Sequence, residues 1–234
     1  MPQTAMVFAA GLGKRMRPLT EATPKPLVRV AGRALIDYVL DDLEEAGVTL
    51  AIVNVHHLAD QIEAHLASRQ SPRIVISDER ETLLDQGGGI KKALPLIGEE
   101  PFFICNTDAF WKAGGAANLH ALARAWDADK MDALLLLANT RGSVGVDWRG
   151  DFERDAEGRL SQPASARRYV YAGAGIMKPQ AFAREAENVF PLSPYFFEAG
   201  KQGRLYGVAS EALWLHVGTI AAISEAEAAM ERSS

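Results

Sequence analysis

Cysteine is nearly absent from this chain. Cys105 is the single thiol among 234 residues, which excludes an intrachain disulfide and a zinc site built on a cysteine cluster. Basic charge is scarce as well: 25 Lys and Arg stand against 30 Asp and Glu, for a formal net charge of −5. A surface of that sign does not favour nucleic acid or an anionic membrane. No apolar run approaches the ~20 residues that span a bilayer, and the N-terminus lacks the basic lead and cleavage region of a secretory signal. A cytoplasmic protein without a membrane partner is expected. His56, His57, His65 and His120 show no metal-ligand spacing. No repeat, low-complexity tract or long linker divides the chain, so residues 1–234 are expected to form one domain, and 48% hydrophobic content supplies a sizeable core.

What is present is a regular alternation of short apolar strands and amphipathic helices. Strands are expected at Ala5–Ala9, Leu50–Val55, Arg73–Ser77, Pro101–Asn106, 132–138, Tyr169–Met177, Leu205–Ala209 and Leu213–Val217. Between them, helical spacing runs from Ala34 to a stop at Gly47, then over Leu58–Ser68, Gly89–Leu96, 114–128 and Ser224–Glu231. Such alternation predicts an α/β fold, a Rossmann-like and mostly parallel sheet flanked by helices, with ligands beyond the carboxyl ends of the strands. The turn-rich region from Arg141 to Arg168 predicts a small antiparallel element covering the site on its acceptor side. The aromatic stretch from Val189 to Phe197 packs internally or pairs with another chain, and the oligomeric state is not readable.

The first strand opens into AAGLGKRMRPLTEATPKPL, residues 9–27. Ala10, Gly11 and Gly13 let the backbone come close to a ligand, with successive N–H groups turned toward it. Lys14, Arg15, Arg17 and Lys25 add cations, and a guanidinium grips two phosphate oxygens in a planar fork. A triphosphate is the natural guest. A dinucleotide fingerprint is excluded because Met16 stands where its third glycine belongs, and no GxxxxGK followed by Ser or Thr exists for a P-loop.

Other candidate groups also lie at strand ends. Asn106 and Asp108 follow Phe102-Phe103-Ile104-Cys105, and a carboxylate there beside a triphosphate suits Mg²⁺, although an aspartate capping the next turn has the same appearance. Gln86, Gly87 and Gly88 begin a glycine-rich turn that either admits a flat ligand to the main chain or serves only as a tight strand-to-helix connection. His216, in WLHVGT, could ligate a metal, contact a phosphate as a cation, leave the second metal carboxylate to come from elsewhere, or be a hydrogen-bonded histidine at a strand end.

The ordered string GxGxRMxPLT followed by PKPL resembles the signature of the sugar-1-phosphate nucleotidyltransferases. That resemblance implies a nucleotide-diphospho-sugar transferase type of fold and transfer of a nucleotidyl group to a sugar 1-phosphate. It implies phosphate contacts from Arg15 and Lys25, magnesium on Asp108, and base contacts from the Gly87–Gly88 main chain. Family members carry aspartate where this chain has His216, which unsettles the usual pair of metal carboxylates. Asp151 in GDF and Gly173 in YAGAGI imply the sugar side. Arg167 and Arg168 either bind its phosphate or are solvated. Short length, the triple glycine, KKALPLI and these strings resemble the compact bacterial branch, implying UTP and N-acetylmuramate 1-phosphate as partners in cell-wall sugar recycling. Guanylyl transfer to mannose 1-phosphate, uridylyl or thymidylyl transfer to glucose 1-phosphate, and a silent nucleotide-sugar sensor stay open. Nothing resembles the hexapeptide repeats of the C-terminal β-helix that some relatives carry.

Overall fold

Segments too short and too uniformly apolar for surface helices become the strands of one twisted sheet. The computed structural model describes residues 1–165 and 167–232. In chain order its main elements are β1 (Thr4–Phe8), α1 (Leu35–Glu45), β2 (Leu50–Val55), α2 (Ala59–Leu66), β3 (Arg73–Asp78), α3 (Asp85–Ile97), β4 (Phe102–Asn106), α4 (Gly115–Ala125), β5 (Ala133–Asn139), β6 (Tyr169–Met177), α5 (Ser193–Lys201), β7 (Leu205–Ala209) and α6 (Ile220–Glu231). The seven strands lie in the order β7-β5-β6-β4-β1-β2-β3. All run parallel except β6, which is antiparallel to both β4 and β5. The fold is therefore the mostly parallel α/β arrangement expected.

Strands buried on both faces need cover on both faces. Val7, Val53, Phe103 and Leu134 point into one apolar cluster with α1 and α4, and Met6, Ile52, Ile104 and Leu135 point into another with α3 and α5. Helix α1 presents Leu35, Ile36, Val39, Leu40 and Leu43 as one buried stripe and stops before Gly47, whose φ of +84° suits the left-handed turn.

Four expectations are corrected. Helix α3 begins at Asp85 rather than Gly89, so the three glycines lie within it. Asp85 turns the chain at φ +61°, its Oδ1 accepting the Gln86 N–H at 2.7 Å, and the glycines are buried. The expected strand at Leu213–Val217 is the shorter Trp214–His216, outside the main sheet and antiparallel to Ala109–Trp111. Helix α5 was not anticipated, although Pro194 in its first turn is a start signal; it buries Phe196 and leaves Phe197 exposed. The antiparallel element is present as Glu153–Arg154 paired with Leu160–Ser161, but it lies along edge strand β7 rather than over the ligand side. There Gly207 donates to the Gly158 carbonyl at 2.9 Å and accepts from Arg154 Nε at 2.8 Å. An edge that would otherwise offer free backbone groups is thereby covered.

Candidate active site

Strand order sets where the crevice forms. From β1 the chain passes to β2 and β3 on one side and later to β4 on the other, so the connections leave the central strand in opposite directions and part at its carboxyl end. A cleft of about 570 Å³ opens there, walled by the loop after β1, by Asn106–Asp108 after β4 and by the first turn of α3.

The loop after β1 is held by polar groups beneath it. Gly13 has φ +58°, and a Cβ there would meet Thr20 Cγ2 at 2.8 Å. The Thr20 hydroxyl donates to the Gly13 carbonyl at 2.8 Å, and His57 Nε2 contacts the Thr20 carbonyl at 2.7 Å. Deeper, the Ala9 N–H donates to Asn54 Oδ1 at 2.8 Å, and Asn54 Nδ2 donates to Glu79 Oε1 at 2.8 Å. Glu79 is 1% exposed. Burial pushes its carboxyl above the usual range, opposed by hydrogen bonds from Asn54 and from the Leu84 N–H. This chain of bonds connects the phosphate-loop backbone to the segment entering α3. Sequence reading did not single out Asn54 or Glu79; the signal was a polar residue near the end of each apolar strand, where an unpaired amide or carboxylate would be costly.

Lys14 and Arg15 line the cleft with exposed side chains, whereas Arg17 lies outside its lining. Lys25 sits in a helical turn after Pro24, and its ammonium donates to Asp108 Oδ2 at 2.8 Å. Their side chains are 13% and 28% exposed. Burial raises the Asp108 carboxyl, but His216 and the Lys25 ammonium outweigh it and hold the group well below the usual carboxylate range. His216 Nε2 stands 3.8 Å from the same oxygen, and Nδ1 contacts the Gly145 carbonyl at 3.1 Å. Its ring stacks on Trp214 at 5.7 Å and meets Trp148 edge-on at 5.5 Å.

Among the described residues no group of three or more His, Cys, Asp or Glu converges as a metal cage. The donors here are one carboxylate with a neighbouring imidazole, and magnesium characteristically binds through one or two carboxylates together with phosphate oxygens and water. The Asp108 side of the cleft fits a cation of that kind brought with a phosphorylated ligand.

Gln86 Nε2 donates to Asn106 Oδ1 at 3.0 Å, joining α3 to the end of β4. Gly173, at φ +79°, lies beneath Asn106, where a Cβ would approach Asn106 Cβ to 3.2 Å. The remaining expected residues are placed differently. Gly87 and Gly88 do not line the cleft: the space for a Cβ on Gly87 is taken by the Phe190 ring, and that on Gly88 by the Asn188 carbonyl. Asp151 is engaged inside the fold, Oδ1 accepting from Trp148 Nε1 at 3.1 Å and Oδ2 from the Tyr171 N–H at 2.9 Å. Arg167 donates to the Pro163 and Asp151 carbonyls at 2.9 Å each, and Arg168 is exposed beside Tyr169. The structure thus gathers Ala10, Gly11, Gly13, Lys14, Arg15, Lys25, Gln86, Asn106 and Asp108 around the cleft, with His216 against Asp108 and Gly173 beneath Asn106.

A nucleotidyl transferase family model matches residues 4–143. The chain is 48% identical, over 97% of its length and 96% of the relative's, to the N-acetylmuramate alpha-1-phosphate uridylyltransferase of Caulobacter vibrioides. It is 34% identical to the protein of the same description from Neisseria meningitidis, with 96% of each chain covered. Among solved structures, a UDP-glucose pyrophosphorylase complexed with UDP-glucose superposes with TM-score 0.76 at 18% identity, all of both chains being covered. HddC from Yersinia pseudotuberculosis complexed with GMP-PN gives 0.73 at 19% identity, over 99% of this chain and 100% of that one. At such identities the likeness is one of fold.

Proposed function

Because the chain belongs to the nucleotidyl transferase family, whose members move a nucleotidyl group, we propose that it joins UTP to N-acetylmuramate 1-phosphate and releases pyrophosphate. The observation that carries the reading is the Lys25–Asp108 pair, at 2.8 Å, lining one cleft together with the glycine loop. The two relatives described as N-acetylmuramate alpha-1-phosphate uridylyltransferases support the choice of base and sugar.

In the proposed reaction a phosphate oxygen of the sugar attacks the α-phosphorus in line, and the bond from that phosphorus to the oxygen bridging to the β-phosphate breaks. The electron pair leaves with pyrophosphate, and no covalent enzyme intermediate forms. The chain then acts by positioning and by neutralising charge. Backbone N–H groups of Gly11–Lys14 hold the β- and γ-phosphates, and Arg15 adds a fork of donors over them. Lys25, poised by Asp108 before nucleotide arrives, turns its ammonium to the α-phosphate, where negative charge builds in the transition state. Mg²⁺, when bound, would neutralise phosphate oxygens from the Asp108 carboxylate, with His216 beside it. The proposed setting is the cytoplasm, where nucleoside triphosphates are made, and among the described residues no helix is long and apolar enough to cross a membrane. The product is the activated form of a salvaged cell-wall sugar.

The test offers purified protein with Mg²⁺ each nucleoside triphosphate against N-acetylmuramate, glucose, N-acetylglucosamine and mannose 1-phosphates, following pyrophosphate and product mass. UDP-N-acetylmuramate is the expected product. Another nucleotide sugar would keep the reaction and replace the substrate. Nucleotide binding with no product from any pair would overturn catalysis in favour of a sensor.

A further inference from the structure

Where the segment 187–190 meets the cleft, an apolar side chain is exposed to it. Val189 is 53% exposed and lines the cleft together with Leu83, Asp85 and Gln86, onto whose segment its own backbone is docked. A lone exposed valine needs no explanation on an ordinary loop, but the backbone around this one is fastened on both sides. The Phe190 N–H donates to the Leu84 carbonyl at 3.2 Å, and the Gly88 N–H donates to the Phe190 carbonyl at 3.2 Å. The Phe190 ring fills the place of a side chain on Gly87, and the Asn188 carbonyl fills that on Gly88. Lys91, on the next turn of α3, donates to the Glu187 carbonyl and to Asn188 Oδ1 at 2.8 Å each. Residues 187–190 therefore form a strap docked into a groove that exists because α3 has glycine there.

We propose that Val189 packs on the face of the nucleobase, and that Gly87, Gly88 and Lys91 are positioning residues that hold the strap so that it does. Triphosphate oxygens belong at the Gly11–Lys14 loop and Lys25, so the uncharged end of the nucleotide extends toward Leu83 and Val189. A base presents an apolar face, matched by the two aliphatic side chains, and a polar edge, matched by Asp85 and Gln86. On this reading the glycines serve the base at one remove, by admitting the strap. The inference rests on the proposed binding of a nucleoside triphosphate and adds the residue that senses its base.

The test compares two probes on the full chain by calorimetric titration with Mg²⁺: UTP, and inorganic tripolyphosphate, which carries the phosphates without a base. Val189→Ala removes two methyl groups from the contact. It should raise the Kd for UTP about five- to tenfold, leave tripolyphosphate within about twofold, and leave thermal stability unchanged because the side chain is exposed. Val189→Asp should weaken UTP further, and Lys91→Met less than Val189→Ala. Equal weakening of both probes, no weakening of UTP in either Val189 variant, or a rise confined to the KM of the sugar phosphate would each overturn the assignment. Wild-type protein that binds UTP and every other nucleoside triphosphate no better than tripolyphosphate would overturn it together with the reading beneath it. Tighter binding of a different triphosphate would refute only uracil, and the same contrast, run with that nucleotide, would still decide for or against Val189.

Discussion

The two rims of the cleft are built in different ways. The phosphate rim is nearly continuous in sequence: Ala10 through Arg15 follow β1 closely, and Lys25 comes ten residues later, after the short helix Leu19–Ala22. The opposite rim is assembled from Gln86, Asn106, Asp108, Gly145, Trp148, Val189 and His216, drawn from five places along the chain. On the first rim local geometry suffices, because a glycine loop after a buried strand presents its N–H groups wherever it is placed. On the second, no residue has a role until distant elements have docked. Lys25 and Asp108 join the rims, and breaking that joint should have the largest effect. Lys25→Ala and Asp108→Asn are each expected to lower the rate of pyrophosphate release by about 100-fold or more, the order of loss when one preorganised transition-state donor is removed. Rates within a few-fold of wild type in both would dissolve the pairing on which the comparison rests.

A finer cut separates two glycines of the phosphate rim. Gly13 holds φ +58° with Thr20 Cγ2 in the way of a side chain, whereas Gly11 has open space. Gly13→Ala should cost about 1–2 kcal/mol of stability, from backbone strain and crowding, and should weaken triphosphate binding as well. Gly11→Ala should leave the denaturation midpoint near wild type and affect nucleotide binding alone. Urea unfolding with and without UTP measures both. Equal stability losses would mean that the loop is less preformed than the Thr20 bond implies.

The same contrast explains what could be read before the structure. Strands β2, β6 and β7 fall on the residues expected, since a short, mostly apolar run between turns announces a strand. The phosphate rim was legible for its contiguity, and Asp108 because a lone carboxylate ends an apolar strand. Gly87 and Gly88 left two readings open because a glycine pair reports only that something comes close; here residues 188–190, about a hundred positions away, lie against them. Asp151 and Arg167 were incompletely legible for a related reason. Charged residues in a turn-rich segment look available, but Asp151 is engaged in fastening that segment to β6 and Arg167 in bonds within the segment. Asn54 and Glu79 escaped notice because their meaning is a buried bond between two strands.

The assembled rim can be probed through the residues of that segment. Asp151→Ala removes the acceptor for Trp148 and for the Tyr171 N–H, with an expected loss of about 1–3 kcal/mol. It also frees Trp148 from the edge of His216, so the KM for the sugar phosphate should rise modestly. Arg168→Ala, at an exposed side chain beside Tyr169, should change stability by less than about 0.5 kcal/mol and activity by no more than a few-fold. A tenfold rise in that KM for Arg168→Ala would return the arginine to the acceptor site.

The last expected effect concerns a residue outside the lining of the cleft. Asp42 on α1 faces Gly115 at the start of α4, where any side chain on the glycine would strike its carboxylate. Burial pushes the Asp42 carboxyl up from 3.8 to about 6, repulsion from Glu45 adds to the rise, and Arg33 opposes it. The folded state therefore binds this proton more tightly than the unfolded chain does. Stability from this group is complete below about pH 4 and is lost as pH rises through 6, because the slope of unfolding free energy follows protons bound unfolded minus folded, which is negative here. At full burial the shift would correspond to roughly 3 kcal/mol; for a side chain still partly in water it is about 1–2 kcal/mol. Asp42→Asn keeps the shape and removes the titration. The variant should thus be the more stable protein at pH 7.5, with its advantage shrinking as pH falls toward 4. Urea midpoints for both proteins across that range measure it directly. An advantage independent of pH would mean that the gain comes from helix packing, and a variant less stable at pH 7.5 would mean that the charge on Asp42 is needed at the start of α4.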